Sequence, residues 1–410
     1  MTGRALSMEL PAASAQRAIN LLALATFAAS ASMRVCDPLL PELSRAFAIT
    51  TGRAAQVISV FAIAYGLLQM LYGPLGDRYG KFRVVAWATL ACSAGTLGAT
   101  LAKDFGWLVM SRALTGATAA AVMPLSMAWI GDNIAYEQRQ ATLARYLTGQ
   151  ILGMVGGQLI GGIFADTLGW RWAFGSLLCV YLGVAVMLFA ELARNPAIDA
   201  HAGARMPTAA SQPFLRQTLA LLGIRWARVV LFTVFMEGLV VYGAFAFVPY
   251  YLHREFALPL SAAAAILAVY GLGGFLYAFL AKRMVAGLGE RGLAAGGGLL
   301  LGLAFAVLLL GPSWPWAIPA ILVAGLGFYM LHNTLQIHAT QMAPSHRGTA
   351  MSMFAACLFL GQSVGVTLAA FVVDSASPRW LFAVAAAAMP LIGLGFAIAL
   401  RQRTGVSDTT

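Results

Sequence analysis

The sequence predicts an all-α polytopic membrane protein of twelve transmembrane helices, arranged as two parallel six-helix repeats. Three observations carry this: a composition poor in charge, twelve apolar stretches of spanning length, and self-similarity at one fixed offset. Of 410 residues, 60% are apolar and 10% are charged. Soluble domains carry roughly 25% charge. A soluble chain this long could not cover its surface with so few charges, whereas lipid-facing surfaces need none. The composition excludes a disordered chain, a secreted disulfide scaffold and a nucleic-acid binder. Cys36, Cys92, Cys179 and Cys357 each lie in an apolar run and read as small buried hydrophobes. No CxxC or Cys/His spacing offers a metal site.

A spanning helix needs about 20 apolar residues. The first such run, α1, covers 18–40 and closes on Pro38-Leu39-Leu40-Pro41. The second, α2 (51–73), is free of charge from 54 to 72. Next, α3 (83–102) starts after the basic stretch Lys81–Arg83, and α4 (107–130) carries Arg112 as its only internal charge. Gly-rich α5 (142–165) and aromatic-flanked α6 (171–191) complete the first six. The second six begin with α7 (227–251), which holds Glu237, followed by the charge-free α8 (261–281) and α9 (293–311). They end with α10 (315–339), which holds His332 and Asn333, then α11 (349–373) and α12 (379–400). Short alternating segments, the mark of a membrane barrel, are not found.

Twelve crossings put both termini on one side. The loops on that side hold eighteen Lys and Arg, from Arg4 and Arg17 to Arg401 and Arg403, and the opposite loops hold six. The positive-inside rule makes the terminal side cytoplasmic. The modest net charge of +11 follows from this bias. The triplet Ala29-Ser30-Ala31 resembles a signal cleavage site, but cleavage would leave eleven helices and break the repeat.

The longest connection, 192–226, is polar and Arg-rich, with Pro196, Pro207 and Pro213. It divides the chain into an N-terminal six-helix half (1–191), a cytoplasmic linker and a C-terminal six-helix half (227–410). At an offset of 208 residues Arg139 falls on Arg347, Gly153 on Gly361, Gly157 on Gly365, Asp166 on Asp374, Arg171 on Arg379 and Pro41 on Pro249. Two parallel repeats around a midplane site are a pattern of alternating-access carriers.

The stretch Gly73-Pro74-Leu75-Gly76-Asp77-Arg78-Tyr79-Gly80-Lys81-Phe82-Arg83 lies between α2 and α3 and resembles the signature loop of the major facilitator superfamily. Arg112-Ala113-Leu114-Thr115-Gly116 resembles the family's second motif, with Thr115 where Gln is common. Gly153, Gly157, Gly161 and Gly162 resemble the motif of its proton-coupled exporters, with Gln158 where Pro is usual. Pro38-Leu39-Leu40-Pro41 resembles the end of α1 in the twelve-helix drug and sugar efflux branch. The resemblance covers nearly the whole chain and implies the major facilitator fold. Under it, Gly73, Gly76, Asp77, Arg78, Gly80, Lys81 and Arg83 form a gating motif. Independently of the family, a carboxylate at Asp77 suits helix N-terminal N–H groups or nearby Arg residues. The α5 glycines recur every four residues, so they share a face that permits close helix packing.

Ionisable residues at membrane depth mark function. Arg34 and Asp37 are one turn apart on α1 and can touch. Arg112 and Asp37 sit within about 8 Å of the outer ends of their helices, and Glu237 about 15 Å into α7. In the resembling family α1, α4 and α7 line the central cavity. Asp37, Arg112 and Glu237 are therefore the candidates for proton coupling, and Arg34, Asp37, Glu237, Gln150, Gln158, His332 and Asn333 for substrate binding. The alternatives stay open: an Arg34–Asp37 structural pair, a permanently protonated Glu237, and interhelical bonding for the polar residues.

The resulting expectation is a secondary active transporter, with proton-coupled efflux of drugs or sugars as the first reading and import of an organic acid with protons as the second. It takes a small-molecule substrate, works as a monomer in the lipid bilayer of a bacterial inner membrane, and uses no cofactor beyond the proton gradient. An enzyme is disfavoured, since no HExxH motif or Walker A loop occurs. The only lysines, Lys81, Lys103 and Lys282, sit at loops or helix ends, which leaves no mid-membrane Schiff base.

Overall fold

The computed structural model describes residues 12–199, 214–343 and 347–407. Arg4, Arg205, Pro207, Pro213 and the linker stretch 200–213 lie outside the described residues. No strand occurs among the described residues. Ten stretches are long and apolar enough to cross a membrane, one of them the 51-residue run Leu260–Leu310. That run is two crossings. Gly273 abuts Leu322 and Gly325, while Gly297 abuts Gly327 and Leu331. Residues 24 apart would lie about 36 Å apart on one straight helix, yet they meet points two residues apart on α10. The chain therefore turns back between them, at Gly289, whose φ of 61° and ψ of 179° break the helix. This separates α8 from α9. Adding Ala12–Arg34 as α1 makes the architecture consistent with twelve crossings.

The helices outrun their apolar cores. Helix α2 spans Thr51–Tyr79, α4 Phe105–Asn133 and α7 Arg225–Phe256, while α5 spans Tyr136–Asp166 and α12 Arg379–Ser407. Hydropathy marks only what lies in lipid, and backbone hydrogen bonding continues into water. Of the linker, Pro196–Asp199 forms a single 3-10 turn and Phe214–Gly223 a short helix.

The 208-residue offset is a symmetry of the packing as well as of the sequence. A Cβ on Gly153 would strike the Phe27 carbonyl of α1, and one on Gly157 the Ala31 carbonyl; Gly361 and Gly365 meet Phe235 and Leu239 of α7 in the same way. Each partner is 208 residues from its counterpart. Gly161 continues the α1 contact at Val35, whereas Gly162 faces the other half, against Leu260, Ser261 and Ala264 of α8. With no hydrophobic effect between helices in lipid, such close backbone contact supplies the association energy.

Each half has its own core, around Phe61, Trp129, Tyr146 and Tyr181 in the first and Phe305, Phe354 and Phe382 in the second. A third cluster joins Val35, Leu39 and Val57 to Phe247, Val366 and Ala369. It bridges the halves at the end of the molecule away from the termini, the far end. Cys36 and Cys92 are buried, but Cys179 is exposed. On the outer helix α6 an apolar run faces lipid, a distinction that apolarity alone does not carry.

Candidate functional site

Helix α1 breaks where Asp37 stands. The helix stops at Arg34 and resumes at Leu40. Between them Asp37 N–H donates to the Arg34 carbonyl at 3.3 Å and Leu39 N–H to the Cys36 carbonyl at 3.1 Å. Pro38 has no N–H and disfavours helical backbone at the residue before it. The break turns Asp37 inward with 0% exposure. Its Oδ2 lies 3.6 Å from Arg34 Nη1, and neither oxygen meets a donor at hydrogen-bond geometry. Helix α7 loosens at the equivalent place, Ala246–Phe247.

Arg34 and Asp37 line a narrow cleft between the halves. Its other walls are Met154, Val155 and Gln158 of α5, Tyr242 and Phe245 of α7, Tyr270 of α8 and Tyr329 of α10. The Arg34 guanidinium lies 4.3 Å over the Tyr242 ring. From there an aromatic column leads into the second half: Tyr242 to Phe328, 5.6 Å between centroids, then Phe328 stacked on His332 at 4.9 Å and 10°. His332 Nδ1 meets Glu237 Oε2 at 2.8 Å. Glu237 has 0% exposure, and its Oε1 has no hydrogen-bond partner. Two buried carboxylates, one per half, are thus joined by a column of ring contacts, edge-on at Tyr242–Phe328 and stacked at Phe328–His332, and a cation.

A local irregularity of α7 aligns that column. Residues Gly238–Tyr242 form a π-helical segment, whose wider turn brings residues five apart toward one face. Glu237 and Tyr242, five apart, both point inward. Close packing of Gly238 on Leu358 and Gly243 on Gly365 holds the widened turn against α11.

Arg112 is placed differently. It has 1% exposure, and neutral acceptors hold it: Nε donates to the Val57 carbonyl at 3.2 Å, Nη1 to Ser32 Oγ at 3.1 Å and Nη2 to the Ser32 carbonyl at 2.9 Å. The Phe61 ring lies 4.2 Å beneath it. It ties α4 to α1 and α2, while Arg34 is the cation that touches Asp37. Gln158 lines the cleft and Gln150, two turns along α5, is not among its walls. Asn333 neighbours Tyr277 of α8, apart from the column.

Two matching clasps close the far end. Asp166, at the end of α5, accepts from Leu260 N–H at 3.1 Å, Ser261 N–H at 2.7 Å and Ser261 Oγ at 2.6 Å. Asp374, at the end of α11, accepts from Gly52 N–H at 2.8 Å and Thr50 Oγ1 at 2.6 Å. Each carboxylate sits on the N-terminus of a helix of the other half, where free N–H groups and the helix dipole favour an anion. Gly52 and Leu260 are themselves 208 residues apart. Deeper in, Ser363 Oγ donates to the Ser59 carbonyl at 2.9 Å, and Tyr65 packs on Phe359 at 4.3 Å.

At the terminal end, the motif expected to form a loop is helical as far as Tyr79, and Gly80 alone makes the turn, with φ of 96°. Helix α2 simply continues past its apolar run to Tyr79. Gly76 packs on Leu125 of α4, whereas Gly73 has open space. Asp77 does not reach helix N–H groups; it pairs with Lys81 at 2.8 Å, and Lys81 also binds Asp132 at 2.7 Å. Arg78 lies over Tyr79 at 5.2 Å. The carboxylate on the α3 N-terminus comes from the linker: Asp199 accepts from Phe82 N–H at 3.0 Å and Arg83 N–H at 2.9 Å. Burial pushes the Asp199 carboxyl above the usual carboxylate range, and the Arg83 and Phe82 N–H groups pull against it.

The sequence reading left Asp166, Asp374, Asp199, Phe328 and Tyr329 without roles. For the first two the signal was present, because they were already paired by the repeat offset. For Asp199 and the aromatics no local signal exists.

The sequence profile of the Major Facilitator Superfamily matches residues 22–347. The chain is 25% identical over 354 residues to the uncharacterized MFS-type transporter YceJ of Bacillus subtilis, covering 83% of this chain and 85% of that one. It is 26% identical over 167 residues to the multidrug export protein EmrB of Escherichia coli, covering 41% of this chain and 32% of EmrB. Several curated relatives are matched over less than two fifths of their own length. Among solved structures, a mutant of the nucleoside transporter NupG superposes with a TM-score of 0.77 at 12% identity, covering 93% of this chain and 99% of that one. That likeness is one of fold.

Proposed function

The chain belongs to the major facilitator superfamily, and from that premise we propose that it is a secondary active transporter that exports small amphiphilic molecules, drugs or sugars, across a bacterial inner membrane in exchange for protons. Both termini are cytoplasmic, the working unit is one chain, and the proton gradient is the energy source. The observation that carries the reading is Asp37, a carboxylate of 0% exposure with no hydrogen-bond donor on either oxygen, at the wall of a cleft between two symmetric halves.

The geometry suits exchange. An unpaired buried carboxylate is strongly disfavoured as an anion unless a cation stays close. At 3.6 Å Arg34 is close but not bonded in the strong bidentate manner. Movement of Arg34 as the halves rock changes the hold of Asp37 on its proton, and a cationic or hydroxyl-bearing substrate takes the proton's place. Glu237 with His332 offers a second carboxylate in the other half. The similarity to EmrB, a multidrug export protein, supports export.

A second reading is import of an organic anion together with protons, favoured by Arg34 and the Tyr242, Tyr270 and Tyr329 hydroxyls around one cleft. Purified protein in liposomes with an internal pH dye separates the two. Addition of individual drugs, sugars and organic acids should drive protons opposite to the transported compound. Protons travelling with an organic acid would favour the second reading. Transport without any proton response would remove coupling from both.

A further inference from the structure

Outside the transport cleft, a second pocket lies at the terminal end of the second half. It is a pocket of about 540 Å³, open on one side, between the α8–α9 turn and the ends of α10 and α12. We propose that this pocket binds a phosphate-bearing anion at the membrane surface, with Arg291 and Arg403 as the groups that take the phosphate.

Three observations carry the proposal. First, Arg291 and Arg403 line one pocket, and the planar fork of N–H donors on a guanidinium matches phosphate oxygens in pairs. Second, the floor is built and held. Arg403 Nη1 lies 3.4 Å from His338 Nδ1, and His338 Nε2 lies 3.1 Å from Glu290 Oε2. A guanidinium only donates, so Nδ1 accepts and the ring proton sits on Nε2, directed at Glu290. His338 is 5% exposed, and Trp226 of α7 lies beneath both groups, 4.7 Å from the Arg403 guanidinium and 5.3 Å from the imidazole. The contact to His338 takes one of Arg403's five N–H groups and fixes its direction. Among the described residues that line the pocket Glu290 is the one carboxylate, and it meets His338.

Third, the depth is right. The apolar run of α12 ends at Leu400, three residues before Arg403, and Leu288, half exposed, walls the same pocket. Charge above and an apolar wall below are what an amphiphile requires, and basic pockets between membrane helices hold phospholipid headgroups in this manner. A free phosphate offers the same oxygens without the tail.

The test measures the thermal unfolding midpoint of the full chain in neutral detergent. Phosphatidylglycerol, phosphatidylcholine or inorganic phosphate is added to wild type, to Arg291→Gln, and to the double variant Arg291→Gln/Arg403→Gln. The expected result is a rise of several degrees with phosphatidylglycerol for wild type, smaller for Arg291→Gln and lost in the double variant, with phosphatidylcholine inert throughout. A rise with inorganic phosphate that the same variants lose supports the site with a soluble occupant. Equal stabilisation of wild type and variants overturns the proposal, as does no response of wild type to either anion. Should the double variant not fold, Arg403→Lys replaces it; that change keeps the charge, loses the fork and should give an intermediate rise.

Discussion

Arg34 and Tyr242 occupy the same position in the two repeats, 208 residues apart, and they meet across the pseudo-symmetry with the guanidinium 4.3 Å over the ring. One half supplies a cation and the other an aromatic face, so the repeat has diverged into a complementary pair where it touches itself. A desolvated cation–π contact is worth up to about 2 kcal/mol. Tyr242→Leu should release Arg34 and lower transport at least several-fold, while Tyr242→Phe retains most of it. Initial rates of the two variants in liposomes decide this; equal rates for Leu and wild type would leave the stack without a role.

For proton coupling, Asp37→Asn is expected to abolish proton-driven accumulation and leave some downhill exchange, because Asn keeps the shape and loses the titration. Glu237→Gln tests the reserve site, since it keeps a partner for His332. Full pH-dependent transport by Asp37→Asn together with its loss in Glu237→Gln would move the proton site to α7. Retention by both would leave a carrier without coupling.

The clasps predict a symmetric conformational effect. Hydrogen bonds to a carboxylate contribute about 1.5–3 kcal/mol each, and 1.4 kcal/mol is tenfold in an equilibrium. Asp166→Asn and Asp374→Asn should each shift the population toward far-end opening by about tenfold or more, and by similar amounts. Spin-label distances across the far end in both variants measure it; a large effect in one alone would mean that the clasps are not equivalent.

Glycine substitutions separate packing from bystander positions. A Cβ at Gly157 runs into the Ala31 backbone, and one at Gly365 into Leu239, whereas Gly73 has nothing within 4 Å. Gly157→Ala and Gly365→Ala should cost about 1–3 kcal/mol, seen as a lower unfolding midpoint in detergent, and Gly73→Ala should change little. Comparable losses at all three would point to helix flexibility rather than contact.

Orientation has its own check. A cysteine at position 78 in a background lacking Cys36, Cys92, Cys179 and Cys357 should resist an impermeant thiol reagent in intact cells and react in inverted vesicles. Labelling from outside would reverse the assignment of the terminal side.

Features that depend on local composition and on the repeat are legible in the chain itself. Apolar run length places the crossings, because each helix satisfies its own backbone and needs only lipid around it. The 208-residue offset identified Asp166 with Asp374 and Gly157 with Gly365 before any contact was known. The rarity of charge in lipid singled out Arg34, Asp37, Arg112 and Glu237. How these are partnered emerges from the packed fold, since partnership depends on helix rotation and on irregular backbone. The turn at Pro38 aims Asp37 inward, and the π segment brings Glu237 and Tyr242 toward one face. Arg112 is diverted to Ser32 and Val57 because helix packing puts neutral acceptors nearer than the carboxylate. The same holds for Asp199, which takes the α3 N-terminus that Asp77 was expected to meet. A residue 116 positions from Arg83 reaches it only once the linker lies across the end of the bundle, and no short-range pattern in the chain encodes that crossing.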